Sequence, residues 1–519
     1  MICRSPPPSA YWLDPMRSVL AFTIAVALLA VPAWGQTPPG ASSATSSDAS
    51  SGMSSEVSSD EAFTREAARS QEEAAWASVP DILARIQAPT FPDRTCRITD
   101  YGAVPDDAAD DRTAITEALA DCASKGGGRV LIPAGTFRSD GPIHFEDNID
   151  LHLTEGAVLR FGTNPADYTP LVRTRWEGVF CYNYSPLIYA QGKTNLAITG
   201  AGLIDGQTEG TWSRWKRGNN GKNQEADKQR LRAMGAERVP VDERIFGNGV
   251  ADVDGDGVND GDGQPHYLRP SLIQFLESTN ILVEGVTLKS SPFWTVHFVL
   301  SENVIARGLT IRPGTTNDDG IDPESSRYVL IENNDIHTYD DAIAIKAGRD
   351  ADGRAYAGTA YVVIRNNRLR STVGGAMSIG SEMSGGVEHV FIERVVAEDE
   401  NGHGLYLKSN LDRGGFIRHL YVRDLDVLTA EDGFLVTSDY KGYRGGNRPP
   451  DVHDIFLRNV RIWSADQASI RLLGQKAAPV RRLYLADVRI RDAKEMPILR
   501  FVDDLVVDDV YIRNRPWQP

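Results

Sequence analysis

Two clusters of aspartate carry spacing suited to acid/base chemistry. One is Asn317-Asp318-Asp319-Gly320-Ile321-Asp322, and the other is Asp340-Asp341-Ala342-Ile343-Ala344-Ile345-Lys346. Hydrolysis of a glycosidic bond needs one carboxyl that keeps its proton for the leaving oxygen and another that stays ionised. Crowded carboxylates supply that difference, because they do not all ionise together. Asp319 and Asp341 lie 22 residues apart, close to one turn of a β-solenoid. Residues one turn apart occupy neighbouring rungs, roughly 4.8 Å along the stack, so the two clusters would share one patch of surface.

The elements that must hold them follow from a nine-residue pattern, polar first and then alternately apolar. It reads Asn280 to Leu288, Asn303 to Ile311, Tyr328 to Ile336 and Tyr361 to Leu369, with an earlier copy at Asn195 and later ones from His389, His419, Asp454, Arg482 and Asp504. Period-two alternation marks strands, Gly or Asn inside each copy marks a tight corner with positive φ, and self-similarity at this period marks a solenoid. The expected fold is all-β: a single-stranded, right-handed parallel β-helix of about ten or more coils. Two segments ahead of the stack have helical spacing, 61–86 (Ala75, Ile82, Ile86) and 111–122 (Ile115, Leu119, Cys122). N-terminal capping helices are expected there, since an uncapped coil exposes strand edges and apolar core. The glycine run Gly126-Gly127-Gly128 opens no helix and is not a nucleotide loop.

Composition narrows the class. The formal net charge of -16 argues against nucleic acid, which needs a basic footprint. An apolar run from Val19 to Pro32 behind Met16-Arg17, ending in Ala33-Trp34-Gly35, reads as a signal peptide over 1–35 with its start at Met16. The expectation is export, secreted or periplasmic, with no membrane attachment after cleavage. The Ser/Ala-rich tract 36–60 reads as a disordered linker, leaving 61–519 as the catalytic domain. Cys96, Cys122 and Cys181 remain after the leader, and both a Cys96–Cys122 bridge and three reduced thiols fit. Within an acidic insertion near 250–263, Asp252, Asp254, Asp256 and Asp260 alternate with glycine corners as in calcium loops. A structural Ca²⁺ and a solvated acidic turn are both open readings; no cofactor is required for catalysis.

The motifs in order resemble bacterial polygalacturonases of glycoside hydrolase family 28. Besides the two aspartate clusters these are Ile379-Gly380-Ser381-Glu382-Met383-Ser384-Gly385-Gly386, Tyr267 to Pro270, Ser291 to His297, Trp176-Glu177-Gly178, Tyr184 to Tyr189 and Ile198 to Gly206, and the likeness runs from about Phe91 onward. The resemblance implies an inverting glycoside hydrolase acting on a galacturonic-acid-containing pectic glycan, an acidic plant-type polysaccharide. It assigns catalysis to Asp319, Asp340 and Asp341, with Asp340 the general acid and the other two activating water. Inversion is expected to need roughly 6.5–9.5 Å between acid and base.

Two positions depart from the family pattern. Gly374 stands where the family has a histidine, and Tyr406-Leu407-Lys408 replaces Arg-Ile-Lys, which removes a bidentate grip on a carboxylate. Lys408, Tyr406, Asn317 and His403 are the expected substrate-binding residues, His403 as a stand-in imidazole; Lys346, Arg349 and Arg413 are further candidates for anionic groups. Two other classes compete: a glycan-binding β-helix without activity, which the altered positions favour, and a pectate-lyase-type enzyme, which would show an unsaturated product.

Overall fold

A computed structural model describes residues 62–218, 221–398 and 401–519; the leader at 1–35 and the linker at 36–60 lie outside the described residues. The chain is a right-handed parallel β-helix with three lines of strands. One line runs from Thr95–Arg97 through thirteen strands to Val502–Ile512, each in register with the next. A second begins at Gly135–Ser139, and a third at Ile143–His144, ending at Ile498–Arg500. Inward side chains form aliphatic columns such as Leu196, Ile281, Val304, Val329, Val362 and Val390, all fully buried.

The corner chemistry is richer than the repeat suggests. The expected positive-φ corner inside each copy is present at Gly285, Gly308, Asn333 and Asn366. The polar first position is also left-handed, at Asn280, Asn303, Tyr328, Tyr361, His389 and His419. Side chains stacked at rung spacing stabilise it: Asn303 donates to Asn280 and Asn280 to Asn195, while the Tyr328, Tyr361, His389 and His419 rings stack at 4.9–5.0 Å. Left-handed Tyr and His are uncommon, so residue type alone does not announce this corner.

Helices α1 (Arg65–Ala77), α2 (Val79–Arg85) and α3 (Arg112–Ser124) precede or interrupt the first coils. The capping expected of the N-terminal helices is carried by α3, whose Ile115, Leu119 and Cys122 enter the main core. A Cys96–Cys122 disulfide ties it to the first strand, while Cys181 stays a buried thiol, pushed up by that burial. The α1–α2 pair instead lies along the flank. It covers an outward column, Leu282, Ile305, Leu330, Val363, Phe391, Tyr421, Phe456 and Tyr484, that solvent would otherwise meet. This is why the repeats carry three apolar residues in a row rather than strict alternation. Trp76 meets the Phe391 ring edge-on at 5.4 Å under the Arg423 guanidinium, and Glu72 takes two contacts at 2.8 Å from Arg458 Nε. Among the described residues, no helix is long and apolar enough to cross a membrane. Trp76→Ala is expected to cost about 3 kcal/mol of docking energy; limited proteolysis should then cut within 62–93 first, and resistance equal to wild type would refute this account of the flank.

Candidate active site

The acidic clusters meet at the corner where strand Asp335–Thr338 passes into Ile343–Ile345. Ile321 pairs with Ile343 on the next rung, and two residues back from that pair stand Asp319 and Asp341. The same column continues through Gly375, His403 and Asp432. Asp319, Asp340 and Asp341 each bring a carboxylate oxygen within 4.8 Å of the others'. Strand spacing brings stacked residues this close.

Two lysines answer this crowding from a second column. Lys346 Nζ donates to Asp319 Oδ2 at 3.0 Å, lies 3.4 Å from Asp322 Oδ1, and sits over the Trp294 ring at 4.2 Å. Lys408 Nζ donates to Asp341 Oδ2 at 2.5 Å. Burial drives the Asp319 carboxyl well above the ordinary carboxylate range; Lys346 opposes this, and Asp340, Asp322 and Asp341 add to it. Asp322 is raised in the same way. Lys346 is the ammonium that both share. Asp341 behaves oppositely: burial alone would raise it, but Lys408 and Lys346 hold it below the ordinary range. Asp319 and Asp341 are 3% and 1% exposed, while Asp340 is more open, so it is the one facing solvent. Asp318 caps the corner, accepting from the backbone N–H groups of Gly314, Tyr339 and Asp340; burial raises it to about 6.

The other expected residues divide. Asn317 is at the site, donating from Nδ2 to Asp340 Oδ2 at 3.0 Å. Lys408, expected to grip a substrate carboxylate, is committed to Asp341. Tyr406 and His403 pack ring against ring at 4.2 Å beside the cleft and do not line it. Burial pulls His403 down to about 4 and Lys408 adds to it, so the imidazole is neutral. A Cβ at Gly374 would stand 2.5 Å from the Asp341 backbone nitrogen, so this backbone excludes a histidine there. Arg349 lines the cleft bound to Glu382 Oε1 at 2.7 Å, whereas Arg413 is buried against Asp350 and lies away from it.

Helices α4 (Thr211–Arg217) and α5 (Gln224–Glu237), in the non-repeating stretch 206–270, build one wall of the cleft. They contribute Lys216, Lys228, Gln229 and Arg232, and Tyr440 with Lys441 forms the opposite rim. The walls approach at Gly442, where a Cβ would lie 3.9 Å from Arg232 Nη1 and 4.0 Å from Arg349 Nη2. None of these lies in a repeat, so register could not reveal them; the Lys346 and Lys408 pairing could have been read from their matching five-residue offset from Asp341 and His403. A second groove of about 410 Å³, lined by Phe91, Arg129 and His152, has its polar groups spent on one another: Arg129 on Asp150, and His152 on Thr199.

Of the expected calcium ligands, Asp252, Asp254 and Asp260 bring oxygens within 4.8 Å of one another, and Asp256 does not join them. Asp252 accepts from the Gly255 and Gly257 backbone N–H groups and Asp260 from that of Val253, which staples the turn by itself. At the acidic corner, Lys408→Met should remove the largest influence that holds Asp341 down, leaving Lys346 and the Gly375 N–H against burial. With Asp-selective ¹³C labelling, its carboxyl resonance is expected to titrate higher than in wild type, and titration at the wild-type position would refute the pairing.

Known proteins bear on this geometry. Residues 217–506 match the family described as Glycosyl hydrolases family 28, and 96–152 match Rhamnogalacturonase A/epimerase, pectate lyase-like. The structure of a hyperthermoactive exopolygalacturonase from Thermotoga maritima superposes with TM-score 0.76 at 35% identity, covering 85% of this chain and 97% of that one. A probable polygalacturonase of Vitis vinifera is 28% identical over 77% of this chain and 75% of its own length. An endo-polygalacturonase of Pectobacterium carotovorum subsp. carotovorum is 27% identical over 74% and 85%. With its family match spanning more than half the sequence and the aspartate corner in place, this chain belongs to glycosyl hydrolase family 28 and is a glycoside hydrolase.

Proposed function

We propose that this enzyme removes sugar units from the end of a galacturonic-acid-rich pectic chain, with Asp340 as general acid and Asp319 and Asp341 handling the attacking water. The observation that carries the reading is one corner that gathers Asp319, Asp340 and Asp341, with Lys346 bound to Asp319, Lys408 bound to Asp341 and Asp340 left the more open of the three. Asp340, the half-buried and most open member, gives its proton to the glycosidic oxygen as the bond to C1 breaks. The water oxygen attacks C1 from the opposite face, and its proton passes to the Asp341 carboxylate.

Chain-end action is supported by the walls that meet at Gly442 and by a cleft of about 330 Å³, near the low end of small-ligand sites. The exopolygalacturonase character of the Thermotoga maritima relative supports it further. The Lys228, Arg232 and Lys441 cations supply partners for uronate carboxylates on a chain whose net charge is -16. A substrate of this size and charge outside the cell is consistent with export by the leader at 1–35. Asp252, Asp254 and Asp260 supply clustered oxygens for a structural Ca²⁺.

Polygalacturonate and rhamnogalacturonan digestion, followed by reducing ends, ultraviolet absorbance and product chromatography together, tests the reading. Monomer from polygalacturonate without unsaturated product is expected, with the first-formed anomer by NMR opposite to that of the substrate. Asp340→Asn should lose at least about 10²-fold in rate. Absorbing product would mean a lyase, and tight binding without turnover a binding protein. Calcium should raise Tm and EDTA lower it; no change with either would remove the metal.

A further inference from the structure

The amide of Asn317 connects the insertion to the catalytic corner. Its Oδ1 accepts from Lys216 Nζ at 2.6 Å and from Arg269 Nη2 at 3.1 Å, while Nδ2 donates to Asp340 Oδ2 at 3.0 Å. This orientation is forced. A flipped amide would aim its NH₂ at two cations and its carbonyl at a carboxylate, pairing donors with donors and acceptors with acceptors. The other oxygen of Asp340 accepts the Asp341 backbone N–H at 3.1 Å, so both oxygens are held.

The two cations are themselves fixed. Arg269 is fully buried; its Nη1 donates to the Pro292 and Thr316 carbonyls, and its Nε donates to Gln224, the first residue of α5, at 2.6 Å. Lys216 lies in the last turn of α4. Both come from the non-repeating stretch, so residues outside the solenoid determine where a carboxyl on the solenoid points.

We propose that Lys216 and Arg269 are positioning residues: they lock the Asn317 amide and through it aim Asp340, making the insertion part of the acid's geometry as well as a wall of the cleft. This rests on the proposed role of Asp340 as the acid. The charged and titratable groups facing Asp340 are Asp318, Asp319, Asp341, Lys216, Arg269, Lys408 and the Tyr406 and Tyr440 phenols. Of these, Lys216 can be altered without opening the core, since it is only part-buried.

The test compares wild type, Lys216→Met, Lys216→Arg and Asn317→Asp, measuring kcat and KM on polygalacturonate across pH, with Tm as the folding control. Lys216→Met is expected to lower kcat roughly tenfold, with KM changed less than about twofold. The pH profile of kcat should change as well, because the amide that holds Asp340 Oδ2 is no longer fixed. Lys216→Arg should restore most of kcat, since a guanidinium donates to the same oxygen, and Asn317→Asp should lose more than Lys216→Met. A rise in KM alone, with the pH profile unmoved, would make Lys216 a substrate contact and overturn the proposal. The Asp340 carboxyl ¹³C resonance in Lys216→Met needs no turnover to be decisive: a shift supports the lock and an unmoved signal overturns it. Should wild type fail on polygalacturonate while that resonance moves, the substrate reading fails and the lock stands.

Discussion

Stacking at the spacing of a parallel sheet is the constraint on which the rest depends. A side chain in a coil has its counterpart one rung above, and nothing in the backbone lets the two draw apart. For valine and isoleucine this makes a core column; for aspartate it makes an electrostatic problem. The chain solves the problem with a parallel column of lysines, Lys346 against Asp319 and Lys408 against Asp341. Each ammonium is itself buried, and burial disfavours charge on both partners. The pairing therefore does more than cancel repulsion: it sets the two aspartates apart, Asp319 pushed above the ordinary carboxylate range and Asp341 held below it.

Much of this could be read from the residues in order. The coil repeats because each rung buries the same positions, so alternation and period declare the fold, and the 22-residue step brings Asp319 over Asp341. What escaped has a physical reason in each case. The left-handed first position is held by Asn ladders and ring stacks between rungs, and a Tyr or His gives no sign of that conformation by itself. The flank position of α1 and α2 depends on the outward column of Leu282, Phe391 and Tyr421, whose apolar character resembles core until one knows which face it is on. Lys408 was legible as a cation at the site, but its partner lies two rungs away on another strand.

The insertion was the least legible part. Residues 206–270 obey no register, and their placement comes from tertiary packing: Trp176, Leu231, Phe246, Leu268 and Trp294 form a small core of their own beside the stack. Trp294 also carries Lys346 on its face. One apolar cluster thus seats both the wall of the cleft and the ammonium bound to Asp319. The His266 imidazole adds a polar pin, between Asp227 of α5 and Asp262 of the acidic loop. Burial would lower it, but the two carboxylates raise it above the ordinary histidine value.

The flanking helices carry a consequence for how the molecule comes apart. In a solenoid each repeat touches only its neighbours, and loss of structure can travel inward from an end one coil at a time. The α1–α2 pair breaks that locality: α1 packs on the late strands Phe416–Thr437, Val480–Glu495 and Val502–Ile512, and α2 on the middle strands Arg327–Glu332 and Thr359–Arg365. Fraying of the last coils must therefore disturb a helix pair that also packs on the middle of the stack. Such a splint couples coils that are not neighbours, and the middle ones carry the acidic corner.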